Sequence, residues 1–445
     1  MYRLLIKQFI RSKTMLLAFA VLLLLGILSI YTGKQFLNIQ QQNIEKAIIQ
    51  QKKDIETLTI HHKNDLGLLL YYLKFSFIKK HQPLAAIAIG QSDLNTQIQN
   101  INILNLEGQK YNTDLVNPMR LQVGNLDLSF IIIFLLPLVI IALSFNILSE
   151  DIENGTWKII KIQSKSAFIY LLKKISIRVF FVSIILGFLF LMSKIILNIP
   201  FNTSFLQLIF ISYLYVFFWF SICFFIISLK KSSNANAIFL LVSWLLLVVF
   251  LPVLVSNYIT NKYPIKEAFA MTLKQRDGYH KKWDTDKKET LNAFFKHYPQ
   301  FKEHKIKEKG FSWLWYYAMQ QMGDDSSKLE SDAMYAKLKN RQILSTKIAF
   351  FWPTLHTQLV MNEIANTSLN NHIRFLNATT KFHEDLRLKF YPQIFTNNLT
   401  SSINWKVIQP RFFTNKSSYT MFSNISFFFF LIIVFLVLGT IKFVK

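Results

Sequence analysis

Six stretches of this chain are so apolar, and so poor in charge, that water cannot be their surroundings. They occupy residues 14–31, 128–148, 175–197, 205–229, 235–259 and 422–443. A helix needs about 20 apolar residues to cross a bilayer, and inside lipid it satisfies its own backbone hydrogen bonds. The expected fold is therefore an all-α integral membrane protein with six transmembrane helices. Hydrophobic residues make up 52% of the chain and Phe alone contributes 43 of 445 positions, which suits burial in lipid better than a soluble core. The first run is too long for most signal-peptide cores and no small-residue cleavage site follows it, so it is expected to remain as an anchor.

Between the runs lie two long polar stretches, 32–127 and 260–420, and several short ones. Six crossings put both termini on one side. Lys and Arg beside the short segments decide which side that is. Arg3, Lys7, Arg11 and Lys13 precede the first run; Lys158, Lys161, Lys165, Lys173, Lys174 and Arg178 follow the second; Lys230, Lys231, Lys442 and Lys445 complete the set. All share one face under this topology, whereas the short loop on the other face, 198–204, has no charge. The lysine-rich face is expected to be cytoplasmic and the two long inserts extracytoplasmic, packed into one mostly helical domain. Glutamine-rich and without Pro, residues 35–73 suggest an extended helix, which Pro83, Gly90, Gly108 and Pro118 break into shorter pieces afterwards. In residues 1–13, Arg3, Lys7 and Arg11 recur every four positions, a pattern for an amphipathic helix in the membrane interface. Pro137 and Pro252 fall inside the second and fifth runs, where they are expected to kink the helices.

Several function classes find no support. The net charge of +25 is spread over scattered lysines, without the basic stripe interleaved with stacking aromatics that nucleic acid requires. No phosphate-cradling glycine loop occurs among only 12 Gly, so any ATP must be bound by another chain. The interiors of the six runs hold no Asp, Glu or His, which argues against a proton or sodium relay. The single cysteine, Cys223, permits no intrachain disulfide, and the nine histidines show no metal-ligand spacing. No catalytic constellation is visible, so the chain is not expected to be an enzyme.

What remains is the loop 149–174, SEDIENGTWKIIKIQSKSAFIYLLKK. It opens with Glu150, Asp151 and Glu153, turns at Asn154-Gly155, and continues with Trp157, Ile159, Ile160 and Ile162 among lysines. The acids complement the positive N-terminal end of the helix from Thr156 onward, Gly155 permits a sharp turn, and the apolar residues are expected to face a cytoplasmic partner.

The order Glu150-x-x-Glu153-x-Gly155-Thr156, after a long span and before a basic amphipathic helix, resembles the glutamate-glycine-threonine coupling segment of ABC-2 type transporter permeases. PLAAIAIGQSDLN (83–95), NPMRLQVGNLDLSFIIIFLLPLVIIALSFNILSEDIENGT (117–156) and FWPTLHTQLVMNEIANTSLNNHIRFLNATTKFHEDLRLKFYP (351–392) are similar to the DUF3526 permease family. That resemblance implies a multi-pass subunit of the bacterial inner membrane whose partners, lipid aside, are a second permease, identical or related, and cytoplasmic ABC ATPase subunits that hold ATP and Mg. It assigns Glu150, Glu153, Gly155, Thr156, Trp157 and Ile160 to ATPase coupling, and export to the assembly. The sequence departs from many members in having no Pro in TWKIIKIQSKS. A second reading keeps the same topology: a structural or signalling protein whose extracytoplasmic domain binds envelope proteins, with an ATPase driving mechanical work.

Overall fold

The computed structural model describes residues 2–110, 125–164, 166–304, 310–415 and 425–444. Pro118, Lys165 and Lys445, parts of both long inserts and the start of the last apolar run lie outside the described residues. Six helices are long and apolar enough to cross a membrane. A short helix, α1 (Tyr2–Ile10), precedes α2 (Lys13–His61). The second run lies in α4 (Leu128–Glu153), which follows the short helix α3 (Leu66–Tyr72). Next come α5 (Trp157–Gln163), α6 (Ala167–Ile196), α7 (Thr203–Ile227) and α8 (233–262). After α9 (Glu267–His280), α10 (Lys287–His297), α11 (Trp313–Ala349), α12 (Pro353–Ile364) and α13 (Leu369–Phe395), the last apolar run forms α14 (Ser426–Val444).

α7 is the centre of the bundle: Tyr215, Phe218 and Trp219 are fully enclosed, with Phe428 of α14 edge-on to Phe218. Proline shapes α4. Pro137 has no N–H to offer the carbonyl of Ile133, and the helix widens into a π turn over Ile131–Leu135. Side chains from other spans serve the carbonyls of that turn: Tyr215 Oη donates to Ile133 O at 3.0 Å and Trp244 Nε1 to Phe134 O at 3.0 Å. A second π turn, Leu245–Phe250, precedes Pro252 in α8.

The polar segments share one core, and part of it is not helical. An all-α fold was expected; instead β1 (Phe75–Lys79) lies between β2 (Ile98–Ile101), antiparallel to it, and β3 (Arg411–Phe413), parallel to it. Two strands come from the first polar segment and one from the second, so neither segment completes the sheet alone. Phe75 stacks on Phe390, and Phe77 on Phe375 and Phe382, which fixes the sheet against α13. The extended helix expected to reach residue 73 stops at His61, because Asp65 accepts from Leu68 N at 2.9 Å and caps a new helix. Buried in this core, Arg387 donates to Leu104 O at 2.6 Å, Ile103 O at 3.2 Å, Gln321 Oε1 and Asp324 Oδ2 at 2.9 Å. Asp324 Oδ1 in turn accepts from Leu106 N at 2.8 Å and Gln275 Nε2 at 2.9 Å, tying both segments to one ion pair.

Several contacts join this domain to the bundle, among them Thr354 Oγ1 of α12, 3.3 Å from Tyr215 Oη of α7. α2 runs without interruption from one into the other, and at Gly33 it approaches the turn Pro83–Ala86 so closely that a Cβ would lie 2.3 Å from the Ala86 carbonyl oxygen. Asp127, at the entry to α4, accepts from Ile89 N at 2.7 Å, Phe130 N at 2.8 Å and Ser129 Oγ at 2.7 Å. Burial raises its carboxyl to about 6 against these hydrogen bonds.

Candidate functional site

At the lysine-rich end of the bundle, the chain leaves α4 through a last helical turn, Ser149–Glu153, and reverses at Asn154-Gly155. Gly155 has φ +73°, in the left-handed region that other residues enter at a cost. A Cβ there would meet nothing within 4 Å, so the backbone conformation, not space, is what calls for glycine. Thr156 Oγ1 donates back to Asp151 O at 3.1 Å and closes the turn. Then comes α5, two turns long, none of whose residues is buried.

The three acids of this segment do different things. Glu153 reaches α8: its Oε1 accepts from Ser233 N at 2.7 Å and its Oε2 from Ser233 Oγ at 2.8 Å. Complementing the dipole of the helix after Thr156 was the expectation; the carboxylate instead sits at the N-terminus of α8, 80 residues away, whose unpaired N–H groups favour an anion in the same way. Ser149 Oγ, 2.8 Å from Ser233 Oγ, adds to that contact. Asp151 turns inward, accepting from Lys174 Nζ at 2.6 Å and Tyr170 Oη at 3.1 Å, both on α6. Lys174 also donates to Ile147 O at 3.0 Å, so the pair is enclosed and hydrogen-bonded on both sides. Glu150 stays exposed, with Asn146 Nδ2 at 3.0 Å.

Trp157 was expected to face a partner together with the isoleucines. Its ring instead packs edge-on against Phe443 of α14, with centroids 6.3 Å apart, and is half-buried. Ile160 is likewise half-buried, whereas Ile159 and Ile162 are exposed, Ile162 by 85%. Lys158 and Lys161 flank them in solvent. The exposed face is therefore Ile159 and Ile162 within a basic rim. On the same end, α1 lies against α6 through Phe9, which meets Phe181 at 5.4 Å and the Arg178 guanidinium at 5.1 Å.

The structure thus gathers Glu153, Gly155, Thr156 and Trp157 into one braced corner and leaves Glu150 at its margin. It adds Ser149, Asp151, Tyr170, Lys174 and Ser233, which were not assigned to coupling from the sequence. An acid two residues from Glu153 and two lysines at the start of the third run were the only signals for the Asp151–Lys174 pair. Nothing in the sequence pointed to Ser233. Among the described residues, no group of three or more His, Cys, Asp or Glu side chains is placed to hold a metal ion.

A family model described as a domain of unknown function, DUF3526, matches residues 267–413. The match covers most of the second polar segment and stops short of the corner at Gly155. No curated protein and no solved structure matches the chain.

Proposed function

We propose that the chain is the membrane-spanning permease subunit of an ATP-driven transporter of the ABC-2 type, an exporter working as a dimer in a bacterial inner membrane. Separate cytoplasmic ATPase subunits bind ATP and Mg and dock at the lysine-rich end. One observation carries the reading: α5 leaves Ile159 and Ile162 uncovered, yet its base is tied to three spans. Glu153 holds α8, Asp151 holds α6, and Trp157 rests on α14. A short helix that bears an apolar face outward and is braced at its root is suited to receive a push and pass it to the spans. Gly155 sets the angle at which it does so.

The test is co-purification and ATPase stimulation with the native partner, using Glu153→Lys and Gly155→Val in the full chain. Both variants should remain in the membrane and lose stimulation or association. Unchanged association and stimulation in both would remove the coupling assignment.

A further inference from the structure

We propose that the cavity between the end of β1 and the first turns of α13 binds a compact oxyanion of the phosphate type. Side chains alternate along a strand, so Lys79 shares a face with Phe75 and Phe77, whose rings lie on α13. Lys79 is therefore directed at the beginning of the same helix. It is only 6% exposed, and no ion pair involving it is formed among the described residues. A cavity of about 220 Å³ opens there, lined by Lys79, Lys80, His81 and Asn371 among others, with no carboxylate among the described residues of its wall.

The charges around it are unbalanced. Burial, followed by the repulsion of Arg374, holds Lys79 down to about 8. Burial and then Lys79 hold His81 down to about 3 and His372 to about 4. Glu363, which pairs with Arg374 at 2.8 Å, is not among the described residues of the cavity wall. His81 has the amide of Gln97 beside it, but among the described residues neither its ring nitrogens nor Nδ1 of His372 close a hydrogen bond. The N-terminus of the 27-residue helix α13 adds its own positive end. Burying an ammonium group without a counter-charge is costly. A bound oxyanion supplies that charge and accepts from Lys79, Lys80 and an imidazole N–H at once. The inference does not depend on the transporter reading, since it concerns the polar domain alone.

The test uses the purified full chain in detergent, with thermal midpoints measured in sodium phosphate and in sodium chloride at matched ionic strength. Ligand that binds only the folded state raises the midpoint with the logarithm of its concentration. Phosphate should do so where chloride does not. Lys79→Met should weaken phosphate binding at least tenfold and, in phosphate-free buffer, melt no lower than the parent, because it removes the unbalanced charge. His81→Gln, which keeps the cavity, should weaken binding by a smaller factor. Nanodiscs of phosphatidylglycerol and of phosphatidylcholine separate the two sources: stabilisation by free phosphate marks a soluble ligand, and a Lys79-dependent gain only in phosphatidylglycerol marks a lipid headgroup. Equal behaviour of phosphate and chloride, with no Lys79-dependent lipid effect, overturns the proposal. So does a phosphate response that Lys79→Met leaves unchanged.

Discussion

Replacing Lys174 by Met should destabilise the corner at Gly155 far more than the loss of one surface ion pair would. Lys174 and Asp151 are 9% and 14% exposed at the side chain, and the ammonium also serves the Ile147 carbonyl. Removing one member strands the other: among the described residues, Lys174→Met leaves the Asp151 carboxylate with the Tyr170 hydroxyl alone, and Asp151→Leu leaves an ammonium with one carbonyl and the face of the Tyr170 ring. Breaking an enclosed pair in this way costs about 3–5 kcal/mol, and the lower figure, about 3 kcal/mol, suits a site at the rim of the bundle. The double variant removes both charges and leaves two neutral groups unmatched, at about 1 kcal/mol each. It should therefore cost about 2 kcal/mol, where the single losses sum to about 6. Unfolding of the full chain in mixed micelles of increasing dodecyl sulfate, followed by Trp fluorescence, measures all four proteins. Single losses that add to within about 0.5 kcal/mol in the double variant would refute the pairing argument.

Four further outcomes follow from the structure. Gly33→Ala forces a Cβ to within 2.3 Å of the Ala86 carbonyl; it should cost about 1–3 kcal/mol in the same unfolding assay, and no loss would show that the approach is not required. Tyr215→Phe should cost about 1 kcal/mol and lose most of that penalty in a Pro137→Ala background, where the Ile133 carbonyl regains a backbone donor; an equal penalty in both backgrounds would separate the tyrosine from the proline. His372 is held to about 4 and His383 well below its usual value, chiefly by burial, so the folded chain refuses protons that the unfolded chain takes up. Their stabilisation is complete above about pH 6.5 and is lost as pH falls from there towards about 4, and the thermal midpoint should drop accordingly, less steeply in a His372→Asn, His383→Asn variant. Cysteines at the exposed positions Ile162 and Val407 should react with impermeant reagents from opposite sides of the membrane; labelling from one side would overturn the six-crossing topology.

The spans were legible because each is a run free of acidic residues and longer than any soluble strand or short helix, and both internal prolines stood out for the same reason. The sheet was not legible. β1 is FSFIK, buried along its whole length, so it lacks the in-and-out alternation that marks a strand, and its partners lie about 20 and more than 300 residues away. In the corner, the turn at Gly155 could be read from Asn-Gly and the neighbouring acids. The direction of each side chain could not: Glu153 and Ser233 meet only because α4 and α8 end at the same level, and Trp157 turns inward because Phe443 offers a ring at the end of the last helix. Local pattern announces that a residue is polar or apolar, whereas the partner it finds is decided by how distant helices pack.

The continuity of α2 gives the molecule a lever. At about 1.5 Å per residue its 49 residues make a rod of about 70 Å, with the close contact at Gly33 and Ala86 as a natural fulcrum. Roughly 30 residues lie beyond that point, an arm of about 45 Å, so a tilt of about 10° in the bundle would sweep its far end by about 8 Å. No proline interrupts the rod and no loop divides it, so little of such a tilt would be absorbed on the way. Small rotations at the membrane would become large excursions of the polar domain, and a load placed on that domain would be felt, in the opposite sense and with greater force, by the short arm within the bundle.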